Sequence, residues 1–310
     1  VVIGKRPSLF ILVAAMVILQ VIASLCYPIA KYGLSIIEPF TFALYRYILA
    51  SVALLLLSRA QTHERSIERR DWRRIILLGT LIIPFNQTLF LVGQSMTGAG
   101  HGAFLFATTP VWIFGLALVH LKEPFRLRRA SGFLLATSGV MIIMLSGAFR
   151  VGKEYLIGDL ILLVSVLAWA YYTVLGKPLV QKYGALRMTA YALSIGSLIY
   201  LPFGIYRAAQ YDYSQATLAA WGTVVYMAIG LSVIVYVLWY WLLKYMEASQ
   251  IAVYHNVQPV IASVVAYFFL GESIGWAFVF GGVAVIAGVV ITEVRFTPSI
   301  KSEVVPPEGP

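Results

Sequence analysis

The polar side chains of this chain that could do chemistry are few, and they sit inside long apolar runs. Tyr254, His255, Asn256 and Gln258 crowd against Pro259, which removes a backbone donor and frees a carbonyl one turn earlier. Gln20, Ser24, Tyr27 and Lys31 recur at spacings of four, three and four, which puts them on one helix face. Ser165, Trp169, Tyr172 and Gly176 repeat that spacing in another run. Asn86, Gln87 and Gln94 follow Pro84, where a kink is expected. The parts of an intramembrane enzyme are missing: there is no H-E-x-x-H helix, no pair of aspartates within a run and no Ser beside a general base. The single thiol, Cys26, excludes an intramolecular disulfide and a Cys-based metal site. What remains is recognition without a cofactor. Amides and hydroxyls can hydrogen-bond a solute, and the deep aromatics Trp169, Tyr171, Tyr172, Tyr236, Trp239, Tyr240 and Tyr254 can stack on a ring or hold a cation. Ordinary helix packing draws on the same residue types.

The elements that must position these residues are membrane spans. Of 310 residues, 60% are hydrophobic and 12% charged, with mean hydropathy +0.85. A water-facing domain carries about a quarter charged residues. Ten runs are long enough to cross lipid: Leu9–Ala30, Phe40–Ser58, Arg74–Val92, Ala99–Leu121, Leu127–Gly147, Leu156–Leu175, Leu186–Tyr206, Leu218–Leu243, Ala248–Leu270 and Ile274–Val294. The first run reads as a retained span. Eighteen of the 23 Lys and Arg residues fall on one side of this arrangement, four on the other, and Arg46 lies within a run. The positive-inside rule then places both ends in the cytoplasm. The net charge of +10 belongs to loops facing anionic headgroups and implies no nucleic acid. Residues 296–310, with four prolines and no apolar period, read as a disordered cytoplasmic tail.

The chain also repeats itself. A shift of 149 positions aligns Trp72 with Trp221, Ala99 with Ala248, Pro110 with Pro259, Glu123 with Glu272, Gly132 with Gly281 and Gly139 with Gly288. Residues 1–150 and 151–295 thus read as two five-helix units. Five is odd, so the second unit enters the membrane from the opposite side. The expected fold is an all-α integral membrane protein of ten helices in two inverted repeats, an architecture suited to alternating access.

Gly100–Ile143, with Pro110, Lys122-Glu123-Pro124, Gly132 and Gly139, resembles the drug/metabolite transporter superfamily in its EamA-type ten-helix branch. Ala248–Ile291 repeats the pattern, and Arg46 and Trp169-Ala170-Tyr171 also look like that branch. In the first run the family often has a Trp-Gly pair, whereas this chain reads Val21-Ile22-Ala23-Ser24. The resemblance implies export or exchange of amino acids, other metabolites or cationic drugs, with the aromatic amino acid exporters the closest-looking group. It implies a bacterial cytoplasmic membrane, a small-molecule substrate and the lipid bilayer as partners, and leaves monomer or homodimer open.

The substrate-binding candidates are therefore Gln20, Ser24, Tyr27, Asn86, Gln87, Trp169, Tyr172, Tyr240, Tyr254, His255 and Gln258. They are expected around a cavity between the first, third, fourth, sixth, eighth and ninth helices. Arg46 can snorkel, bind a substrate carboxylate or lock its helix to a neighbour, and is read as a structural lock. Pro110 and Pro259 break helices, while Glu123 and Glu272 cap the helices that follow them. His255 is the main titratable group at midmembrane depth besides Arg46, so proton antiport and facilitated diffusion both stand.

Overall fold

A computed structural model gives the protein's structure over residues 7–61, 66–97, 99–145, 155–261, 264 and 276–293. Glu272 and the 296–310 tail lie outside the described residues. The described residues are mostly helical and contain no strand. We label the helices α1 (Leu9–Leu34), α2 (Pro39–Arg59), α3 (Arg69–Met96), α4 (Ala99–Ala107 and Thr109–His120), α5 (Leu127–Leu145), α6 (Leu156–Tyr183), α7 (Ala185–Ala208), α8 (Leu218–Tyr245), α9 (Ala248–Ala252, Val253–Asn256 and on to 261) and α10 (Trp276–Glu293). Six of them, α1, α2, α3, α6, α7 and α8, are each long and apolar enough to cross a bilayer, and α4 and α10 contain shorter apolar stretches.

Helix ends follow local chemistry. The Glu38 carboxylate accepts from Thr41 N at 2.9 Å ahead of Pro39 at the first turn of α2, and its other oxygen meets Arg207 of α7. Gly184, at φ 89°, ends α6 where a side chain would be strained. Helices α3 and α6 both outrun the apolar stretches that announce them. Lys182 at the end of α6 pairs with Asp71 at 2.6 Å and Glu68 at 2.7 Å, and Tyr183 donates to Asp71 at 2.7 Å. Charges that pair across two helix ends can remain helical beyond the apolar span.

Both halves interrupt their helices at matching places. Residues Leu81–Thr88 of α3 and Tyr226–Val235 of α8 are π-helical; shifted by 149, the first would cover 230–237. Helix α4 breaks at Thr108, ahead of Pro110, and α9 tightens to a 3₁₀ turn over Val253–Asn256, ahead of Pro259. Pro84 accompanies one π segment but has no counterpart in the other, so the proline is not required for it.

Helices α5 and α10 meet through glycines. A Cβ on Gly139 would lie 2.4 Å from Gly281 O, and one on Gly132 would lie 2.7 Å from Gly288 O. The repeat counterpart of Gly132 is Gly281, and that of Gly139 is Gly288. Exchanging the two copies therefore maps this antiparallel contact onto itself, which is the signature of a two-fold axis through the seam. Beside it, Arg129 of α5 makes an ion pair with Glu247, including a 2.9 Å bond from Nη2 to Oε1.

Gly139→Val and Gly281→Val should each destabilise the protein by about 1–3 kcal/mol through overpacking, read as a fall in melting temperature in detergent, whereas Gly115→Val, at an open position, should not. A second outcome follows from Glu247, whose carboxyl is held below its usual range first by its bonds to Arg129. A depressed folded-state value means that this pair stabilises the fold above the unfolded carboxyl range. The contribution disappears as pH falls through the folded value. Acid melting curves of Glu247→Gln should accordingly be flatter than wild type below about pH 4.3.

Candidate functional site

The helix interruptions surround one cavity. It takes its walls from α1, α3, α4, α6, α8 and α9: Tyr27 and Cys26; Gln87 and Phe90; Phe106; Trp169; Tyr236 and Trp239; His255 and Gln258. Three pairs of these residues are repeat counterparts at the 149 shift, namely Gln87 with Tyr236, Phe90 with Trp239 and Phe106 with His255. The cavity thus lies on the same two-fold relation as the glycine seam. Its volume is about 50 Å³, room for waters, whereas sites for drug-sized ligands run to about 300–1,000 Å³. This conformation is contracted around the site.

Pro259 explains how two polar groups come to point there. Lacking an N–H, it leaves the carbonyl of His255 without its helical partner, and the preceding turn tightens to 3₁₀ form. Residues three apart then share a face, and Gln258 Nε2 lies 3.0 Å from His255 Nδ1. Gln258 also bonds Gln20 of α1 at 2.9 Å and accepts from Tyr27 Oη at 2.9 Å. On the other side of the imidazole, Trp169 Nε1 donates to His255 Nε2 at 3.2 Å. An indole N–H can only donate, so this bond requires Nε2 to be bare of hydrogen. An imidazolium, with hydrogens on both nitrogens, cannot accept it. Trp169 packs among Tyr236, Trp239 and Tyr172 with ring centroids 5.1–5.6 Å apart, forming an aromatic wall.

The structure sorts the sequence candidates into groups. Tyr27, Gln87, Trp169, His255 and Gln258 line the cavity, and Gln20 supports them through Gln258. Asn86 stands behind the wall, donating to Ser165 O at 2.8 Å and accepting from Gln87. Ser24 donates to its own helix at Gln20 O. Tyr172 and Tyr240 stack on each other at 4.7 Å outside the cavity, Tyr240 occupying the space that Gly176 leaves. Tyr254 faces a separate apolar crevice between α1, α9 and α10. Cys26 and Phe90, absent from the candidates, reach the cavity; Phe90 follows Gln87 by three residues, a spacing that could have identified it.

Arg46 does not snorkel. It is fully buried, its Nε donating to Ser232 Oγ of α8 at 3.1 Å and its Nη2 to Gln87 Oε1 of α3. Glu123 caps a helix, but not the one that follows it. Its carboxylate accepts from the backbone N–H groups of Ala248 and Ser249, at 2.8 and 3.3 Å, at the start of α9, and pairs with Lys177 at 3.0 Å. The carboxylate of one half thereby sets the start of the helix that carries His255 in the other.

A family model described as the EamA-like transporter family matches residues 9–145 and again 156–294. The chain belongs to the EamA-like transporter family. Among relatives of this EamA-like protein, an Archaeoglobus fulgidus protein named an uncharacterized transporter is 28% identical, over 86% of this chain and 91% of its own length. A Streptantibioticus cattleyicolor protein named a probable terminal-alkyne amino-acid exporter is 30% identical, over 91% of this chain and 93% of its own. A solved crystal structure shares the fold with TM-score 0.72 at 15% identity, covering 90% of this chain and 96% of that one. The protein is thus a multi-pass membrane transporter, built to move a small-molecule solute.

In this EamA-like transporter the Glu123–Lys177 pair is nearly enclosed, at 7% and 11% exposure. Glu123→Gln should cost about 1.5–3 kcal/mol of stability. A double-mutant cycle with Lys177→Met, followed by thermal melting, should return a favourable coupling, and additivity would contradict the pairing.

Proposed function

We propose that this transporter exports neutral amino acids, aromatic ones foremost, across a bacterial cytoplasmic membrane by alternating access around the cavity described above. The observation that carries this reading is the composition of the site. An aromatic wall of Trp169, Tyr236 and Trp239 faces a polar corner of His255, Gln258 and Tyr27. Such a site matches a solute with an apolar ring at one end and hydrogen-bonding groups at the other. The amino-acid exporter among the relatives supports the same class.

The inverted relation of the halves supports the alternation. The glycine seam and the cavity share one two-fold relation, so tilting one repeat against the other can exchange which face of the cavity is open. Among the described residues the cavity wall contains no carboxylate, which weighs against the organic-cation reading. Broken helices at midmembrane depth supply backbone groups to a solute without exposing them to lipid.

Purified protein in liposomes loaded with phenylalanine, tryptophan or leucine should release them faster than protein-free vesicles. Trp169→Ala and His255→Ala should each slow that release about tenfold or more, since each removes both an aromatic contact and the 3.2 Å bond between them. Release no faster than from protein-free vesicles would refute the substrate class. A proven flux unaffected by both variants would refute the site.

A further inference from the structure

Arg46 carries a charge that the architecture of the protein does not answer. Arg46 is 0% exposed two turns into α2, yet among the described residues no carboxylate lies within ion-pair distance of its guanidinium. Its two hydrogen-bond partners, the Ser232 hydroxyl and the Gln87 side-chain carbonyl, are neutral, as is the Tyr47 ring that its Cζ faces at 5.8 Å. Its third nitrogen, Nη1, is buried with no hydrogen-bond partner among the described residues. A guanidinium taken out of water without an anion is strongly unfavourable, and ionisable groups kept inside membrane proteins mark solute or ion pathways. A lock between α2, α3 and α8 would be made as well by a neutral amide, at no charge-burial cost. Gln87, moreover, touches the charge with one atom and forms part of the cavity wall.

We propose that Arg46 is the anchor for the carboxylate of the transported solute, and that the Gln87 carbonyl holds its place until the solute arrives. The carboxylate displaces Gln87 and takes the fork of Nη1 and Nη2 in a bidentate pair, the geometry for which guanidinium is suited. Its ring lies against the wall of Trp169 and Trp239. Solutes lacking a carboxylate gain nothing from this charge, and cationic amines are repelled by it. The inference rests on the cavity being the solute site, as proposed above, and narrows its ligands to carboxylate-bearing amphiphiles.

The test uses the full-length protein in nanodiscs and three probes of one ring size: 3-phenylpropionate, phenylalanine and phenethylamine. Binding is read by quenching of intrinsic tryptophan fluorescence. Wild type should bind both carboxylates at least about tenfold more tightly than the amine, and Arg46→Gln should weaken the carboxylates about 10- to 100-fold while leaving the amine unchanged or improved. Gln87→Glu supplies an internal carboxylate to Arg46, so it should raise the melting temperature and lower carboxylate binding by at least about tenfold. It decides the question alone should Arg46→Gln fail to fold. Equal binding of the amine and the carboxylates by wild type, or carboxylate binding untouched in the folded variants, overturns the proposal. Arg46-dependent carboxylate binding without amino-acid flux would sink the exporter reading and keep this one. Flux that survives both variants and carries phenylalaninamide as fast as phenylalanine would do the reverse.

Discussion

Inside lipid a polar group has no partner but the protein itself, and the central architecture of this transporter follows from that. Arg46 is held between the two segments where α3 and α8 lose their regular hydrogen-bond ladder, touching Gln87 in one and Ser232 in the other. A regular α-helix satisfies its own backbone and offers nothing to a solute. A π turn or a break before proline frees carbonyls and turns side chains inward at one depth. Four such interruptions, in α3, α4, α8 and α9, surround one cavity, and the intact lengths of α1 and α6 complete its wall.

The frame is symmetric while the chemistry on it is not. Counterpart positions line the cavity in pairs, but the side chains differ: Gln87 answers Tyr236, and His255 answers Phe106. Duplication explains the matching backbone, because the glycines of α5 and α10 and the prolines of α4 and α9 recur in register. Recognition needs the opposite, an oriented site with one polar end and one aromatic end. Substituting side chains on a retained backbone achieves both without disturbing the seam on which the halves meet.

Much of this was legible in the residues. Apolar length announced the helices, and the glycines and prolines in register announced the repeat. The polar cluster before Pro259 announced the corner of the cavity, because Pro259 has no N–H to give the carbonyl of His255. Other features left no local trace. The π segment of α8 holds no proline, and its single glycine, Gly230, does not separate it from an ordinary helix. The ends of α3 and α6 extend through Asp71 and Lys182, whose pairing joins residues 111 positions apart. Tyr172 and Tyr240 share the spacing of cavity residues but stack on each other, since Gly176 leaves room for a ring. Helix periodicity assigns a face, and only packing decides whether that face meets a solute or a neighbour.

The cap that Glu123 places on α9 has a consequence for how the chain is made. When the first half leaves the ribosome, its loop already carries this carboxylate, while Lys177, Ala248 and Ser249, which receive it, are still to be synthesised. Until then the acid has none of these partners, and water must solvate it. The junction between the halves at this carboxylate is therefore completed only once α9 has been made, with α10 and its glycine seam following still later.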